Sequence, residues 1–496
     1  MVRVRDSPDG RPQSTVNFVD DDRRTAIFGT RTRFVMMLLV LFCLASIWSN
    51  ILSFNFAVIC MEPSNGKDDD NTTNDTSNMQ YTFSSYQKSM LTSAVAVAAL
   101  AANFPVVTLV NQFGIRTVFT FLGILTAVST CLIPMAIEAG FYYFLAVRFL
   151  QGVAFAANFP VIGSFCSRWA YYKQNGMFVS CLVAYVQLSP ALTMPISGTL
   201  CEYTGWPSVF YVHGILSLLL FVTYGLFYRN NPQKHPMVSH TEFNKIAVGK
   251  IRANKKDLKN IPYGAILKTP AVWAVWIAAI GNFTCVNMLF LFSPIYINKV
   301  LGFQVHATGL SAALAPFAQF CMKLAIGVVS DKVKFFSETN KLRFFNSIAF
   351  FGSATLLCIL SLMNTENKTL CMVLMGVSAG ILGATTGGFF KSGPLISKQY
   401  SHFVTGNVSL GIAITMLFVP VVKNIIAPQN TPQQWAWIFI ATAAVLIVTN
   451  IIFCVFGSGE ACEWTTEEYI LRHSTRSLPD HPCSKEQPAI STIVVK

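Results

Sequence analysis

Long hydrophobic runs with almost no charge follow one another along the chain, and short polar segments separate them. Twelve runs reach the length of about 20 residues that a helix needs to cross a bilayer. Their apolar residues form continuous stretches and lack the spacing of an amphipathic helix. The pattern therefore predicts an all-α membrane protein. The predicted spans are 34–60, 90–110, 117–137, 141–166, 176–200, 206–228, 271–297, 308–329, 344–363, 370–390, 403–426 and 435–456.

The longest internal polar segment lies between the sixth and seventh runs and divides the chain into six plus six. This segment is basic, which predicts a linker between two six-helix halves. A twelve-span channel or a membrane enzyme is the alternative, but no cluster of His or carboxylates marks one membrane face. The predicted divisions are an N-terminal tail 1–33, halves 34–228 and 271–457, a linker 229–270 and a C-terminal tail 458–496.

Composition supports the membrane class, since 53% of the residues are hydrophobic and only 12% are charged. These values exclude a soluble enzyme and a disordered scaffold. The net charge of +13 is explained by topology, because 29 of the 36 Lys and Arg residues lie in the tails and in alternate polar segments. Both termini are therefore predicted to be cytoplasmic. The lipid bilayer is the expected partner and nucleic acid is not.

Sequons occur in the segments predicted to face outward. Asn71 and Asn74 lie in the first outer loop and Asn367 in the fifth, and all three are predicted glycosylation sites. Most of the thirteen cysteines lie within apolar runs, as small buried side chains do. Cys60 and Cys201 lie near outer ends of spans, and the sequence leaves a disulfide between them open.

Two segments resemble the conserved loop of major facilitator transporters. Gly327 and Asp331 form a Gly-x-x-x-Asp motif at the inner end of span eight. The resemblance implies that Gly327 permits close helix approach and that Asp331 accepts from the positive end of a neighbouring helix. The loop after span two keeps Gly114 and Arg116 but lacks the Asp.

Longer stretches resemble solute carrier family 17, the organic anion and phosphate cotransporters. Arg148 to Gly152, continuing to Asn158, looks like span four of that family, and the stretch 193–206 with Gly198 looks like span five. Further matches fall in order at 231–236, 261–274, 293–303 and 458–464. The resemblance implies the major facilitator fold and a secondary transporter of a small organic or inorganic anion. It implies no enzyme and no bound cofactor, and places the chain in the plasma membrane or an endolysosomal or vesicular membrane.

Departures from the family pattern leave substrate and coupling open. Ser53 stands where many members have Arg, and Phe155 stands where sialin-like members have Glu. The alternatives are therefore a carrier of a neutral or amphiphilic solute, or a receptor or scaffold that keeps the fold. The coupling ion could be sodium or a proton.

Two cations lie deep inside predicted spans, away from the span ends, and no Asp or Glu lies inside one. Arg148 matches a family position in span four, and Lys323 lies in span eight. A charge at this depth is unfavourable without a partner, so both residues are candidates for binding an anionic substrate. Pairing with helix carbonyls is the alternative for Arg148, and snorkelling toward Asp331 is the alternative for Lys323.

Asn103 and Asn158 each precede a Phe-Pro pair, in spans two and four. Their amides could line a substrate cavity. Equally, each could satisfy a helix carbonyl that the neighbouring proline leaves without a partner. The sequence does not decide between these two roles.

Overall fold

The computed structural model describes residues 31–61, 83–171, 174–247, 262–332, 337–466 and 469. In these ranges the chain is helical or irregular, and no residue belongs to a β-strand. Twelve of its helices are long and apolar enough to cross a membrane. The prediction of an all-α fold with twelve membrane spans is therefore confirmed.

We number the spans one to twelve in chain order. Their bounds are Thr32–Met61, Ser85–Val110, Ile115–Ala139, Phe141–Trp169, Met177–Thr204, Trp206–Phe227, Pro270–Val300, Val305–Gly327, Glu338–Leu362, Lys368–Ser397, Phe403–Ile426 and Pro432–Phe456. Two short helices, His240–Ala247 and Tyr263–Lys268, lie between spans six and seven.

Spans nine and ten are longer than the hydrophobic runs that predicted them. Span nine begins at Glu338, where the Ser337 hydroxyl accepts a hydrogen bond from the Asn340 N–H and caps the helix. Lys341 then forms an ion pair with Glu338 at 2.7 Å. A charged first turn is thus part of this helix. Span ten continues past Lys391, because a charged residue ends a hydropathy signal without ending a helix.

Spans four and ten are both interrupted near their middles. Span four consists of the helices Phe141–Phe155 and Asn158–Trp169. Pro160 lies in the first turn of the second helix, where its missing N–H is tolerated. Span ten changes to a tighter 3₁₀ helix at Leu382–Gly387 before Phe389–Ser397 resumes the α-helix. The two halves therefore break the same helix of their six.

In each half an arginine side chain joins the third helix to the end of the sixth at the linker end of the bundle. We define the linker end as the end where spans one and seven begin and spans six and twelve finish. Arg116 of span three donates from Nε and Nη2 to the Gly225 carbonyl of span six, at 2.9 and 2.7 Å. Arg343 of span nine donates in the same way to the Gly457 carbonyl, at 3.2 and 3.0 Å. The arrangement repeats in the two halves.

The linker also contacts the first half. Glu242, in the short helix after span six, is buried and accepts from the backbone N–H groups of Thr32 at 3.2 Å and Arg33 at 2.9 Å. These N–H groups begin span one and have no partner within the helix. A carboxylate at this position satisfies them and interacts favourably with the helix dipole.

The halves meet at the other end of the bundle, which we call the opposite end. There, spans five and eight approach so closely that a Cβ on Gly198 would lie 3.1 Å from the Cα of Gly309. Three hydrogen bonds join span two to span eleven and to the loop that follows it. Ser85 donates to the Pro428 carbonyl, Ser89 to the Pro420 carbonyl and Ser93 to the Leu417 carbonyl, at 3.2, 3.2 and 3.3 Å.

A disulfide connects Cys60 to Cys201 at the opposite end. It links the end of span one to the end of span five, both in the N-terminal half. The pairing that the sequence left open is therefore present.

Candidate functional site

Lys323 of span eight contacts the other half of the molecule. Its Nζ donates a hydrogen bond to Oε1 of Gln187 in span five at 3.1 Å, and it lies 5.2 Å from the ring centroid of Phe390. Nε2 of Gln187 donates in turn to Oε1 of Gln319 at 3.2 Å. Gln319 lies one helical turn before Lys323. A row of polar groups therefore crosses between the halves here, and Lys323 belongs to it.

Arg148 is completely buried within the N-terminal half. Nη1 donates to the Ile51 carbonyl at 3.2 Å and to Oε1 of Gln151 at 2.7 Å, and Nε donates to the Leu91 carbonyl at 3.2 Å. The guanidinium carbon lies 4.8 Å from the ring centroid of Phe54. Among the described residues, none accepts from Nη2. In this conformation Arg148 pairs with helix carbonyls and keeps one donor unused.

The partners of Arg148 belong to a larger polar network. Nε2 of Gln151 donates to Oγ1 of Thr130 at 2.8 Å and to the Asn50 carbonyl at 3.2 Å. Nδ2 of Asn50 donates to Oγ of Ser217 at 3.1 Å. Spans one, three, four and six are thus joined around Arg148. The two candidate cations have no contact residue in common, since Arg148 lies inside one half and Lys323 lies between the two.

No described carboxylate balances either cation near the middle of the bundle. The acidic side chains that the structure describes in the twelve spans are Glu138, Glu202 and Glu338, and each lies within three residues of a helix end. The side chain of Asp331 lies outside the described residues. The described interior of the bundle is therefore positively charged.

A cavity between the halves brings one of the two candidate asparagines to the interface. Asn103 lines it, together with Phe155 and Phe159 of span four and Leu410 and Ala413 of span eleven. Four of these five side chains are apolar. Asn103 thus lies on a cavity between the halves, and its role in binding substrate stays a prediction.

Asn158 is in a different environment. It is fully buried and its amide lies beside the Tyr185 hydroxyl, and it is not one of the residues that line the cavity. Asn158 does not line this cavity, and its role in binding substrate stays a prediction. Asn158 begins the second helix of span four, while Phe155 and Phe159 on either side of the break line the cavity.

The motif glycines differ in how tightly they are packed. A Cβ on Gly152 would collide with the Val95 carbonyl oxygen of span two, and Gly198 contacts Gly309 as described above. Gly327 has more room, because its nearest neighbour would be Cγ2 of Thr386 at 4.0 Å. Close helix approach is present at Gly152 and Gly198, and among the described residues none comes closer than this to Gly327.

One of the three predicted glycosylation sites lies among the described residues. Asn71 and Asn74 lie outside the described residues. Asn367 is exposed and immediately precedes span ten. Its position is accessible, and its modification stays a prediction.

Sequence reasoning missed the glutamines of this region. Gln187 and Gln319 are polar residues deep in otherwise apolar spans and are almost fully buried, as is Gln151 beside Arg148. The available signal was spacing, since Gln319 and Lys323 lie four residues apart on one helix face. Gln187 is 136 residues from Lys323 in the chain, so that contact had no local signal.

Comparison with known proteins defines the class. The chain matches the Major Facilitator Superfamily over residues 34–392 and belongs to that superfamily. The members of this superfamily that the chain resembles are transporters and not enzymes. A bacterial homologue of the human lysosomal transporter Spinster, in an inward-facing and occupied conformation, has the same fold. Its TM-score is 0.62 at 13% identity, covering 86% of this chain and 97% of that chain.

Relatives of known type narrow the comparison within the superfamily. Sialin of Homo sapiens is 27% identical over 355 residues, covering 71% of each chain. A putative inorganic phosphate cotransporter of Drosophila melanogaster is 25% identical over 404 residues, covering 79% of this chain and 76% of its own. Vesicular glutamate transporter 1 of Bos taurus is 25% identical over 366 residues, covering 72% of this chain and 65% of its own. The resemblance to solute carrier family 17 is thus confirmed.

Proposed function

We propose that this protein moves a small organic or inorganic anion, of carboxylate or phosphate type, across a membrane by alternating access. The observation that carries the proposal is Lys323, a cation between the two halves whose described partners are an amide oxygen and an aromatic ring. In a transporter built from two halves, a site at their interface can be reached from each side in turn. An anion is the natural counter-charge for such a site.

The energetic argument concerns the cost of a charge in this place. A Lys near mid-bilayer is unfavourable by at least about 2.5–3.5 kcal/mol unless it is solvated or paired. Its contacts to Gln187 and Phe390 reduce this cost without neutralising the charge. A transported carboxylate or phosphate would accept from the ammonium and replace the hydrogen bond to Gln187.

The apolar lining of the cavity supports a second candidate. Phe155, Phe159 and Leu410 surround Asn103, and Phe155 supplies no carboxylate. Such a surface fits a neutral or amphiphilic solute better than a small inorganic ion. The uptake experiment described next therefore compares anionic and neutral substrates directly.

The test is uptake into proteoliposomes of labelled phosphate, glutamate, an acidic sugar and a neutral sugar. We expect uptake of at least one anion, and we expect Lys323→Gln to raise its half-saturating concentration by about tenfold, as a lost charged hydrogen bond would. Lys368→Gln is the matched control. This substitution removes the same charge at an exposed position at a span end. Uptake of the neutral sugar alone would establish the second candidate and refute the anion.

Coupling and orientation belong to the same proposal. The described spans place no carboxylate near the two cations, which favours sodium or the membrane potential over protons as the driving force. Uptake measured with and without sodium, across a range of pH, tests this. We also propose that both termini face the cytoplasm and that Asn71, Asn74 and Asn367 carry glycans, which glycosidase treatment of the native protein would reveal as a loss of mass.

A further inference from the structure

Two buried amides lie beside the cation between the halves. Gln187 of span five and Gln319 of span eight are buried, whereas Lys323 is partly exposed. Gln319 and Lys323 lie four residues apart, so their side chains lie on the same face of span eight. The ammonium group is therefore the most accessible member of this row of three polar side chains.

The hydrogen bonds along the row have a fixed direction. A lysine only donates, so the amide group of Gln187 that faces Nζ of Lys323 at 3.1 Å is its oxygen. Nε2 of Gln187 then donates to Oε1 of Gln319 at 3.2 Å. Nε2 of Gln319 is left over, and among the described residues none accepts from it. The row therefore begins and ends with a donor, and both of its amide oxygens are used.

A similar pair of cation and glutamine in the N-terminal half lacks this surplus. Oε1 of Gln151 accepts from Arg148, and Nε2 of Gln151 donates to the Asn50 carbonyl and to Oγ1 of Thr130. That amide is matched by acceptors of the protein itself, and the amide of Gln319 is not. A buried donor without an acceptor is unfavourable. An acceptor from a bound solute would complete the row.

Span ten holds the turn that carries both end donors. In its 3₁₀ segment, a Cβ on Gly383 would lie 2.8 Å from the Gln319 carbonyl oxygen and 2.9 Å from the Lys323 backbone nitrogen. Phe390, in the helix that follows this segment, contacts the Lys323 ammonium group. The C-terminal half thus positions both donors by itself, and donors held in place lose less entropy when a ligand binds.

We propose that the transported anion binds Nζ of Lys323 and Nε2 of Gln319 together and displaces the amide oxygen of Gln187, which takes its place when no substrate is bound. The proposal rests on the anion transport proposed above and assigns two further residues to it. An ion with two or more oxygens can accept from both donors at once, so the site favours a carboxylate or a phosphate over a halide. Because Gln187 belongs to the other half, its displacement removes a bond between the halves.

Thermal unfolding of the purified full chain in detergent measures anion binding without transport. Glutamate and inorganic phosphate are each compared with chloride at equal ionic strength, since a ligand of the folded protein raises the unfolding temperature with its concentration. We expect at least one of the two oxyanions to stabilise the wild-type protein more than chloride does. Gln319→Leu removes a donor, and we expect it to raise the concentration that gives half of the effect by about tenfold.

Two substitutions of Gln187 should act in opposite directions. Gln187→Leu removes the oxygen that competes with the anion, so we expect the half-effect concentration to fall by about threefold. Gln187→Glu places a fixed carboxylate against Lys323, so we expect a rise of about tenfold or more. A purely structural role of Gln187 would not give opposite changes. Gln233→Glu is the matched control, because it makes the same change at an exposed position between spans six and seven and should keep the wild-type response.

Several results would overturn the proposal. One is a wild-type protein that neither oxyanion stabilises beyond chloride, and others are an unchanged response in Gln319→Leu or a half-effect concentration that does not fall in Gln187→Leu. If the Gln187 variants do not fold, Gln319→Leu decides the result. Uptake into proteoliposomes distinguishes this failure from that of the proposed function. Anion uptake with unchanged responses in the glutamine variants refutes only the roles of Gln187 and Gln319, and the expected responses without uptake of any anion refute only transport.

Discussion

The two halves of the molecule share a frame and differ in what they bury. In each half an arginine at the start of the third helix donates to a carbonyl at the end of the sixth, as Arg116 does to Gly225 and Arg343 to Gly457. Each half also breaks its fourth helix near the middle. The interiors are not alike, because the N-terminal half surrounds a guanidinium and the described interior of the C-terminal half is joined by neutral groups.

The neutral contacts of the C-terminal half are specific. Nδ2 of Asn346 donates to Oδ1 of Asn450 at 2.8 Å, and the hydroxyls of Ser353 and Ser378 are 2.8 Å apart. These pairs join spans nine, ten and twelve without a charge. The same six-helix frame therefore forms without a buried arginine. We therefore expect a substitution at Arg148 to affect transport more than the stability of its half.

The largest expected effect comes from changing that arginine. Arg148→Lys keeps the charge but loses the planar guanidinium that donates to Ile51, Leu91 and Gln151. A Lys also cannot form bidentate hydrogen bonds with a carboxylate or phosphate. We expect anion uptake to fall by about a hundredfold, since charged hydrogen bonds contribute about 1.5–3 kcal/mol each. Uptake is normalised to the amount of protein that reaches the membrane, which we expect to be close to wild type.

Ser378→Ala in the C-terminal half is the comparison for Arg148→Lys, because it removes a buried hydrogen bond of span ten without touching a charge. It should change uptake by about twofold or less. Arg148→Ala that reached the membrane and transported at the wild-type rate would show that Arg148 is only a structural residue.

A smaller effect is expected where glycines set helix spacing. Gly152→Ala forces a methyl group against the Val95 carbonyl inside one half, and overpacking of this kind destabilises proteins by about 1–3 kcal/mol. We expect a lower unfolding temperature in detergent. Gly163→Ala is the matched control on the same span, since nothing lies within 4 Å of its Cβ position. Equal stability of the two variants would contradict the tight packing at Gly152.

Gly309→Ala separates packing within a half from packing between halves. Its Cβ would lie 2.6 Å from the Met194 carbonyl oxygen of the other half. We therefore expect it to push the halves apart at the opposite end and to lower the unfolding temperature less than Gly152→Ala does. An unfolding temperature below that of Gly152→Ala would show that packing between the halves contributes more to stability than packing within one half.

The smallest expected effect tests the shared frame. Arg116→Gln and Arg343→Gln each remove a partly exposed hydrogen bond to a helix-end carbonyl, for which we expect a loss of about 0.5–1 kcal/mol in the free energy of unfolding. The two losses should be similar, as measured by denaturant or thermal unfolding. A large loss of unfolding free energy in only one of the two variants would show that the two arginines do not contribute equally to the stability of their halves.

The spans were predictable because run length and hydropathy are local properties of the chain. Twelve runs became twelve helices, and the errors at spans nine and ten occurred where charged turns continue a helix. The breaks in spans four and ten were not predicted. Pro160 lies only a few residues from one break and glycines lie at the other, but such residues also occur in continuous membrane helices.

The site was predictable only in its residue types. Charge at an apolar depth marked Arg148 and Lys323 correctly as unusual positions. Their partners depend on how distant helices pack, so sequence could not show that carbonyls of spans one and two surround Arg148 or that Gln187 accepts from Lys323. Asn103 and Asn158 have the same local sequence and different surroundings, because one helix is continuous there and the other is broken.

The disulfide between Cys60 and Cys201 has a consequence for the cell that makes this protein. Disulfides form and persist in oxidising compartments and are rare in contact with the reducing cytosol. We therefore expect the end of the bundle that carries this bond to face the secretory lumen during synthesis, and the linker end to face the cytosol. This expectation is independent of the distribution of lysines and arginines. Since both cysteines belong to one half, the bond also leaves the halves free to move against each other.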